Sequence, residues 1–172
     1  MDDSGVFTDP RNGITYKTVK ISNRIWFAQN FNYNNQYSSW CYDDNPENAK
    51  IFGRLYNWES ANSIAPKGWH LPSKNEWEAL LDFFGGVGKQ AFNNMSDKDF
   101  SGFNVLFSGI RTLNGDYYGL GSSSGFWSST EDLNETAWGC FLDKDEKKAA
   151  MSSLHKNYGR SVRLVKDSPD PL

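Results

Sequence analysis

The sequence reads G-W-H-L-P-S-K-N-E-W-E-A-L-L from Gly68 to Leu81, and this stretch contains the clearest helix start of the chain. Ser73 and Glu76 have the S-x-x-E spacing of a capping box, in which each side chain binds the backbone amide of the other residue. Gly85-Gly86 predicts the end of the helix, because glycine tolerates the left-handed backbone found there. Between these signals the apolar side chains recur at i, i+3, i+4 and i+7, at Trp77, Leu80, Leu81 and Phe84.

Short strands and a long loop are predicted before this helix. The Asn12-Gly13 turn precedes a β-branched and aromatic strand over residues 14–21, and a turn at residues 22–23 leads into a second strand over 24–28. Residues 30–48 are rich in Asn, Tyr, Asp and Ser, which is typical of an irregular loop. Helical spacing of Leu, Trp and Ala then predicts a first helix over residues 51–64.

The chain after the capped helix is predicted to be rich in strands. Residues 85–102 form a weakly patterned connection with a helical turn near 90–95. Glycine and serine then separate short β-prone runs, at residues 103–111, 117–120, 125–129, 137–142, 148–154 and 161–166. Two early helices followed by a β-rich half predict the α+β class.

Length and composition indicate one soluble-type domain. The 172 residues carry 18 basic and 21 acidic side chains, so the net charge is −3, and no basic run is present. This argues against nucleic acid as a partner, because binding it requires clustered positive charge. We expect a loose or non-native N-terminus over residues 1–8, one domain over 9–167 and a tail over 168–172.

No signal peptide and no apolar run of about 20 residues is present, so we expect no transmembrane segment in this chain. The opening Met1–Ser4 has the character of a start placed on a trimmed chain. A secretion signal or lipid anchor in a longer form of the protein therefore stays open.

Several ordered blocks of sequence resemble one family. They are D-P-R-N-G-I-T-Y-K-T-V-K-I-S-N-R-I-W-F-A-Q-N-F, W-C-Y-D-D-N, G-R-L-Y-N-W-E-S-A, P-K-G-W-H-L-P-S-K-N-E-W, G-F-N-V-L-F-S-G-I-R, F-W-S-S-T and G-R-S-V-R-L-V-K. Together they resemble the Fibrobacter succinogenes major paralogous domain over residues 9–167.

The resemblance implies a C-type lectin-like fold, with two early helices packed on a small twisted antiparallel sheet with long loops. It also implies a distant similarity to the formylglycine-generating enzyme domain. Members of the family resemble secreted or lipid-anchored surface proteins of Bacteroidetes and related bacteria. An extracellular or cell-surface location is the expectation that follows, with the oligomeric state left open.

The two cysteines, Cys41 and Cys140, match no metal-binding or redox spacing. Either one disulfide or two buried thiols fits the sequence. Copper- or thiolate-dependent oxidation of the formylglycine-generating type needs a reactive cysteine pair in the C-terminal half, where only Cys140 lies. Its neighbours are apolar, which favours a buried structural cysteine.

Two kinds of calcium-binding motif can be compared with the sequence. The sugar-binding motifs E-P-N, Q-P-D and W-N-D of true C-type lectins do not occur in the chain. Asp97, Asp99 and Ser101 match the first half of a D-x-D-x-S-G calcium loop, but Ser108 stands where a bidentate Glu is needed. We therefore expect a solvated acidic turn and no cofactor.

For the other polar residues, a structural or solvent-exposed role competes with a catalytic one. His70 lies between Trp69 and Leu71, which favours a core hydrogen-bonding histidine over a catalytic base. Glu131-Asp132 is the only acid pair considered for glycoside hydrolysis, but adjacent carboxylates in a polar loop are usually solvated.

Binding by loops of the C-terminal half is the function that we expect, and the protein is expected not to be an enzyme. Tyr and Trp offer large contact areas at low entropic cost, and Asn and Ser hydrogen-bond adaptably. A protein or glycan is the expected ligand. The rival hypothesis is a structural or assembly domain of a bacterial surface lipoprotein. The candidate ligand-binding residues are Arg111, Asn114, Asp116, Tyr117, Tyr118, Glu131, Asn134, Trp138, Asn157 and Tyr158.

Overall fold

The computed structural model describes residues 5–167 and contains both helices and strands, which confirms the α+β class. The strands are β1 (Gly5–Thr8), β2 (Thr15–Ile21), β3 (Arg24–Phe27), β4 (Ser39–Trp40), β5 (Leu55–Tyr56), β6 (Trp69–His70), β7 (Ser108–Arg111), β8 (Tyr117–Leu120), β9 (Ser123–Leu133), β10 (Thr136–Asp143), β11 (Lys148–His155) and β12 (Val165–Lys166). The helices are α1 (Pro46–Phe52), α2 (Trp58–Ser63), α3 (Lys74–Phe83), α4 (Lys89–Ser96) and α5 (Lys98–Ser101). Within residues 5–167, none of them is long and apolar enough to cross a bilayer.

Two five-stranded sheets form the framework. The first has the order β1-β2-β3-β12-β6 and is antiparallel throughout. The second has the order β11-β10-β9-β7-β8 and contains one parallel contact, between β7 and β9. The prediction of one small antiparallel sheet was therefore wrong in the number of sheets, and one strand pair is parallel rather than antiparallel. Strands β4 and β5 pair separately.

Helix α3 forms as the sequence predicts. The Ser73 hydroxyl accepts a hydrogen bond from the Glu76 amide at 3.2 Å, and the Glu76 carboxylate accepts one from the Ser73 amide at 2.9 Å. Trp77, Leu80 and Leu81 are buried on the inner face of the helix. The chain leaves the helix through Gly85 and Gly86, both with positive φ.

Alternating side chains of the central strands separate two apolar clusters. On β3, Trp26 lies in one cluster and Phe27 in the other; on β9, Phe126 and Trp127 divide in the same way. Helices α3 and α4 cover the first cluster, and α2 contributes Trp58 and Ala61 to the second. Trp127 is a core ring, because its side chain is fully buried.

The predicted single helix over residues 51–64 was wrong. Asn45 caps α1, whose first residue is Pro46, so the segment predicted as an irregular loop already contains a helix. Gly53 ends α1 with φ +73°, and a Cβ there would lie 2.7 Å from Asn30. The chain then forms β5 and begins α2 after a second asparagine cap, Asn57.

Other predicted boundaries also differ. Residues 5–8 were expected to be loose but pair with β2, whereas residues 1–4 and the predicted tail 168–172 lie outside the described part of the chain. The predicted strand 103–111 is regular only over Ser108–Arg111, and the predicted strand 161–166 only over Val165–Lys166. The second segment contains Arg163, whose buried side chain donates hydrogen bonds to the first segment at Phe103 and Asn104.

Arg163 is completely buried and joins separate parts of the chain through its guanidinium group. Its Nε donates to Asn30 Oδ1 at 2.7 Å, and Nη1 donates to the carbonyls of Phe27 at 3.0 Å and Phe103 at 2.6 Å. Its Nη2 donates to the Asn104 carbonyl at 2.8 Å. Burial lowers the pKa of Arg163 to about 9, which still leaves it charged at neutral pH.

Replacing this arginine tests its role in the framework. Arg163→Met keeps an apolar chain but leaves four oxygen acceptors without their donor, and each unsatisfied group costs about 1–3 kcal/mol. We expect the free energy of unfolding, measured by urea titration, to fall by at least about 3 kcal/mol. Lys67→Met at an exposed position is the control, with an expected change within about 0.5 kcal/mol. Equal stability of the two variants would contradict this role.

Candidate functional site

The β7–β8 hairpin carries five of the predicted ligand-binding residues. Its turn is closed by backbone hydrogen bonds from Thr112 N to Asp116 O at 2.8 Å and from Gly115 N to Thr112 O at 3.1 Å. Asn114 and Asp116 at this turn are exposed. The hairpin is therefore an ordered element with an exposed tip rather than a loose loop.

Gly109 lets an earlier segment of the chain pack against the hairpin. This residue has φ +66°, and an added Cβ would overlap the Tyr118 carbonyl and the Tyr42 ring. The glycine thus makes room for the tight turn Tyr42–Asp44 beside β7 and β8. Only a residue without a side chain allows this approach.

The side chains brought together here form a cluster, called the Arg111 cluster, which consists of Trp40, Tyr42, Asp44, Arg111 and Tyr117. The Arg111 guanidinium lies 4.2 Å from the centre of the Trp40 ring and 5.9 Å from that of Tyr117. Tyr42 and Tyr117 have ring centroids 5.1 Å apart. The Tyr117 hydroxyl donates to Asp44 Oδ1 at 2.7 Å. Burial, together with the bond to Asp44, raises the pKa of Tyr117 to about 12.

Arg111 has no anionic partner in the described part of the chain. Among residues 5–167, no carboxylate forms an ion pair with its guanidinium. Its Nε is enclosed without a hydrogen-bond partner, whereas the side chain as a whole is only half-buried. The Nη atoms are therefore the part of this cation that a ligand can reach.

Tyr117 and Tyr118, both predicted as ligand-binding residues, do not form one exposed patch. In the register of the hairpin Arg111 lies opposite Tyr117, and Ile110 lies opposite Tyr118. Directly opposite residues share a face, so Tyr118 points away from the Arg111 cluster. Tyr118 is 59% exposed, whereas Tyr117 is half-buried among the cluster residues.

Two further candidates lie at the tip of the β9–β10 hairpin. Lys156 donates to Glu131 Oε1 at 2.9 Å and to the Asn134 carbonyl at 2.9 Å. The tip borders an open depression of about 650 Å³ that is lined by residues 131–136. Glu131 is thus an exposed ion-pair partner of a lysine, which agrees with the expectation of solvated carboxylates at Glu131-Asp132.

The remaining candidates lie apart from one another. Trp138 is half-buried on β10, and the Lys74 ammonium group lies 4.0 Å from the centre of its ring. Asn157 is exposed, and Tyr158 packs against the second apolar cluster. The next residue, Gly159, bridges to Arg111, so this segment borders the Arg111 cluster. The ten predicted residues therefore do not form one surface.

The predicted acidic turn is a single turn of helix, α5, and its Asp97 and Asp99 side chains are exposed. Asp97 caps it by accepting from the amides of Asp99 at 2.9 Å and Phe100 at 3.2 Å. The Ser101 hydroxyl donates to the Asp97 carbonyl at 3.0 Å. No group of three or more His, Cys, Asp or Glu side chains suited to a metal ion occurs in the part of the chain that the structure describes.

The open question about the cysteines is resolved in favour of two buried thiols. Cys41 and Cys140 are both free and both buried. Burial raises the pKa of the Cys140 thiol to about 12, so its reactive thiolate form is disfavoured.

His70 makes hydrogen bonds, as expected, but not in the core, because its side chain is 37% exposed. Its Nδ1 lies 2.6 Å from Asp167 Oδ1, and its Nε2 lies 3.0 Å from Glu76 Oε1. Glu76 also pairs with Arg24 at 2.7 Å. A neutral imidazole has one N–H and can satisfy only one of the two carboxylates, so the geometry favours the doubly protonated ring. The hydrogen bond to Glu76, followed by that to Asp167, raises the pKa of His70.

This arrangement predicts a pH-dependent stability. Because the folded pKa of His70 lies above its usual value of 6.5, the added stability is complete below pH 6.5 and is lost as the pH rises through the folded pKa. For such a partly exposed group we expect about 1 kcal/mol. Thermal unfolding of wild type and His70→Gln between pH 5.5 and about 9 should show a gap that narrows at high pH. His155→Gln at the second histidine is the matched control. A gap of constant size would contradict the prediction.

Two glycines allow a test of how the Arg111 cluster is built. Gly109→Ala forces a Cβ into the Tyr42 ring, whereas Gly121→Ala has a similar positive φ but open space around it. The second substitution should cost about 1–2 kcal/mol for backbone strain alone. We expect Gly109→Ala to lower the free energy of unfolding by at least about 2 kcal/mol more, because core overpacking adds to the strain. Equal losses in urea unfolding would show that Tyr42 does not pack against β7 as described.

Sequence reasoning missed Trp40, Tyr42 and Asp44, because it assigned residues 30–48 to an irregular loop. Strand β4 and the turn after it bring these residues to the hairpin. The available signal was the block W-C-Y-D-D-N over residues 40–45, which places two aromatic rings and two carboxylates within six positions.

Comparison with known proteins gives one match. The family model described as the Fibrobacter succinogenes major domain matches residues 19–166, which is most of the chain and includes the Arg111 cluster. No curated protein and no solved structure matches the chain.

Proposed function

Since the chain belongs to the Fibrobacter succinogenes major domain family, we propose that it is a non-catalytic binding module that works outside the cell or on its surface. The proposed binding surface is the Arg111 cluster together with the exposed hairpin tip at Asn114 and Asp116. The ligand is a protein or a glycan. The location and the absence of catalysis are parts of the same proposal.

One observation carries this proposal: a half-buried arginine is held by aromatic rings and is left without an anionic partner. Arginine, tyrosine and tryptophan are the residues that most often dominate binding energy at interfaces. The cluster draws on two segments that are distant in sequence, residues 40–44 and the hairpin, so its geometry is fixed before any ligand arrives. Holding an unpaired arginine in one position lowers the stability of the fold, and a purely structural surface gains nothing in return.

We also propose that the fold is C-type lectin-like. Support comes from two sheets with helices and long connections, and from the adjacency of an early and a late strand, since β12 pairs with β3. In such a fold the loops of the second half present ligand-binding side chains while the sheets hold them in place.

A structural or assembly role is the second candidate, and a separate observation favours it. The C-terminal end of α3 exposes Phe83 to 56% and, after the glycine turn, Val87 to 64%. Exposed apolar side chains at one end of an element are common at contacts between proteins. Self-association of the purified protein that is lost in Phe83→Ser would support this second role.

The binding proposal is tested with matched variants of two hairpin tips. Wild type and the Asn114→Ala/Asp116→Ala double variant are applied to arrays of bacterial and plant polysaccharides and of surface proteins. We expect the double variant to lose at least about tenfold in affinity, because contacts at the tip are removed while the fold is kept. Asp145→Ala, at the exposed tip between β10 and β11, is the control and should bind as wild type does.

Chelator gives a second arm of the same experiment. Asp97 is occupied in capping α5, so we expect binding to persist when calcium is removed. Loss of binding in Asp145→Ala, or unchanged binding in the double variant, would contradict the proposed surface.

A further inference from the structure

Within residues 5–167, Arg111 is a half-buried cation that forms no ion pair with a carboxylate and whose Nε has no hydrogen-bond partner. Arg160 also lacks a carboxylate, but its side chain is buried, whereas that of Arg111 is partly exposed. Arg11 pairs with Asp9 at 2.7 Å, Arg24 with Glu76 at 2.7 Å and Lys156 with Glu131 at 2.9 Å. Even Arg163, which has no carboxylate, donates to four protein oxygens. We infer that the Arg111 cluster binds a uronate, that is, a sugar carrying one carboxylate, within an acidic polysaccharide. This inference rests on the proposed function and names its ligand class.

The guanidinium is oriented for a carboxylate. The group lies over the Trp40 ring, and the Tyr117 ring limits it on another side, so both rings restrict its position. A planar guanidinium with fixed orientation binds a carboxylate through two parallel hydrogen bonds, and little side-chain entropy is lost because the group is already held. The enclosed Nε directs that contact to the Nη atoms.

The neighbours of Arg111 favour a singly charged sugar over a polysulfate. Asp44, which accepts from the Tyr117 hydroxyl, and Asp116, at the hairpin tip, are exposed carboxylates, and Asn114 adds an amide at the tip. Carboxylates accept hydrogen bonds from sugar hydroxyls, so these groups suit the hydroxyl-rich part of a uronate. The same carboxylates repel a densely sulfated chain, whose charges cannot all reach the single arginine.

The composition of the surface favours a glycan over an acidic protein segment. A specific protein interface buries about 800 Å² on each partner and has an apolar centre. On the hairpin the exposed large apolar side chains are Leu113 and Tyr118, and Tyr118 points to the face opposite Arg111. A polar ligand that makes hydrogen bonds around one cation matches this surface better.

The experiment compares charged and uncharged forms of the same oligosaccharide. Isothermal titration calorimetry would use trimers of galacturonate, mannuronate and guluronate, the methyl ester of each, dextran sulfate and a poly-glutamate peptide. We expect at least one free uronate to bind at least tenfold more tightly than its methyl ester, with the difference reduced at high salt. Arg111→Met should abolish the difference, and Arg111→Lys should keep only part of it. Lys67→Met is the control for loss of a distant exposed charge, and circular dichroism checks the fold of each variant.

The outcomes separate this inference from the proposed function. Equal binding of acid and ester forms, with loss in Asn114→Ala/Asp116→Ala, would overturn the uronate assignment and leave the binding module standing. Preferential binding of dextran sulfate or of the peptide would likewise overturn the assignment. Binding that none of the hairpin substitutions changes would overturn both.

Discussion

A buried guanidinium, that of Arg163, is the interaction on which the framework depends. It sits between the β3 segment, the connection before β7 and the segment before β12, and its acceptors are carbonyl and amide oxygens rather than a carboxylate. Residues 103–107 and 162–164 flank this group and are mostly buried, although neither segment forms a regular strand. Large rings, including Trp26, Phe103 and Phe126, pack around the same junction.

A second arginine, Arg111, differs from Arg163 because no oxygen within residues 5–167 accepts a hydrogen bond from its Nε. Both groups lie against aromatic rings, but Arg163 is satisfied by the protein and Arg111 is not. The difference follows from position. Arg163 lies inside the fold, where an unpaired charge would be severely destabilising, whereas Arg111 lies in a hairpin near the surface, where solvent or a ligand can take the missing place. The aromatic rings beside Arg111 hold it in a fixed geometry, which is what ligand recognition requires.

The sequence predicts local features better than it predicts contacts between distant segments. Ser73, Glu76 and the glycines after Phe84 specify α3 because capping and periodicity act within a few residues. The helix proposed over residues 51–64 fails because Gly53 is needed for a close approach to Asn30, a contact with a residue 23 positions away. The candidate site follows the same rule. Arg111, Asn114 and Asp116 were identified from their polar, turn-rich neighbourhood, but Trp40 and Asp44 reach them only through packing around Gly109. The pairing register of the hairpin places Tyr117 and Tyr118 on opposite faces, and this register cannot be derived from amino-acid composition.

The most direct test of this account is a crystal structure of the protein with a bound uronate trisaccharide. The account predicts a sugar carboxylate within hydrogen-bond distance of the Arg111 Nη atoms, hydroxyls on Asp44 or Asp116, and a hairpin and Trp40 in the positions they hold without ligand. A sugar bound elsewhere, for example against Trp138 and Lys74, with Arg111 still facing solvent, would contradict it.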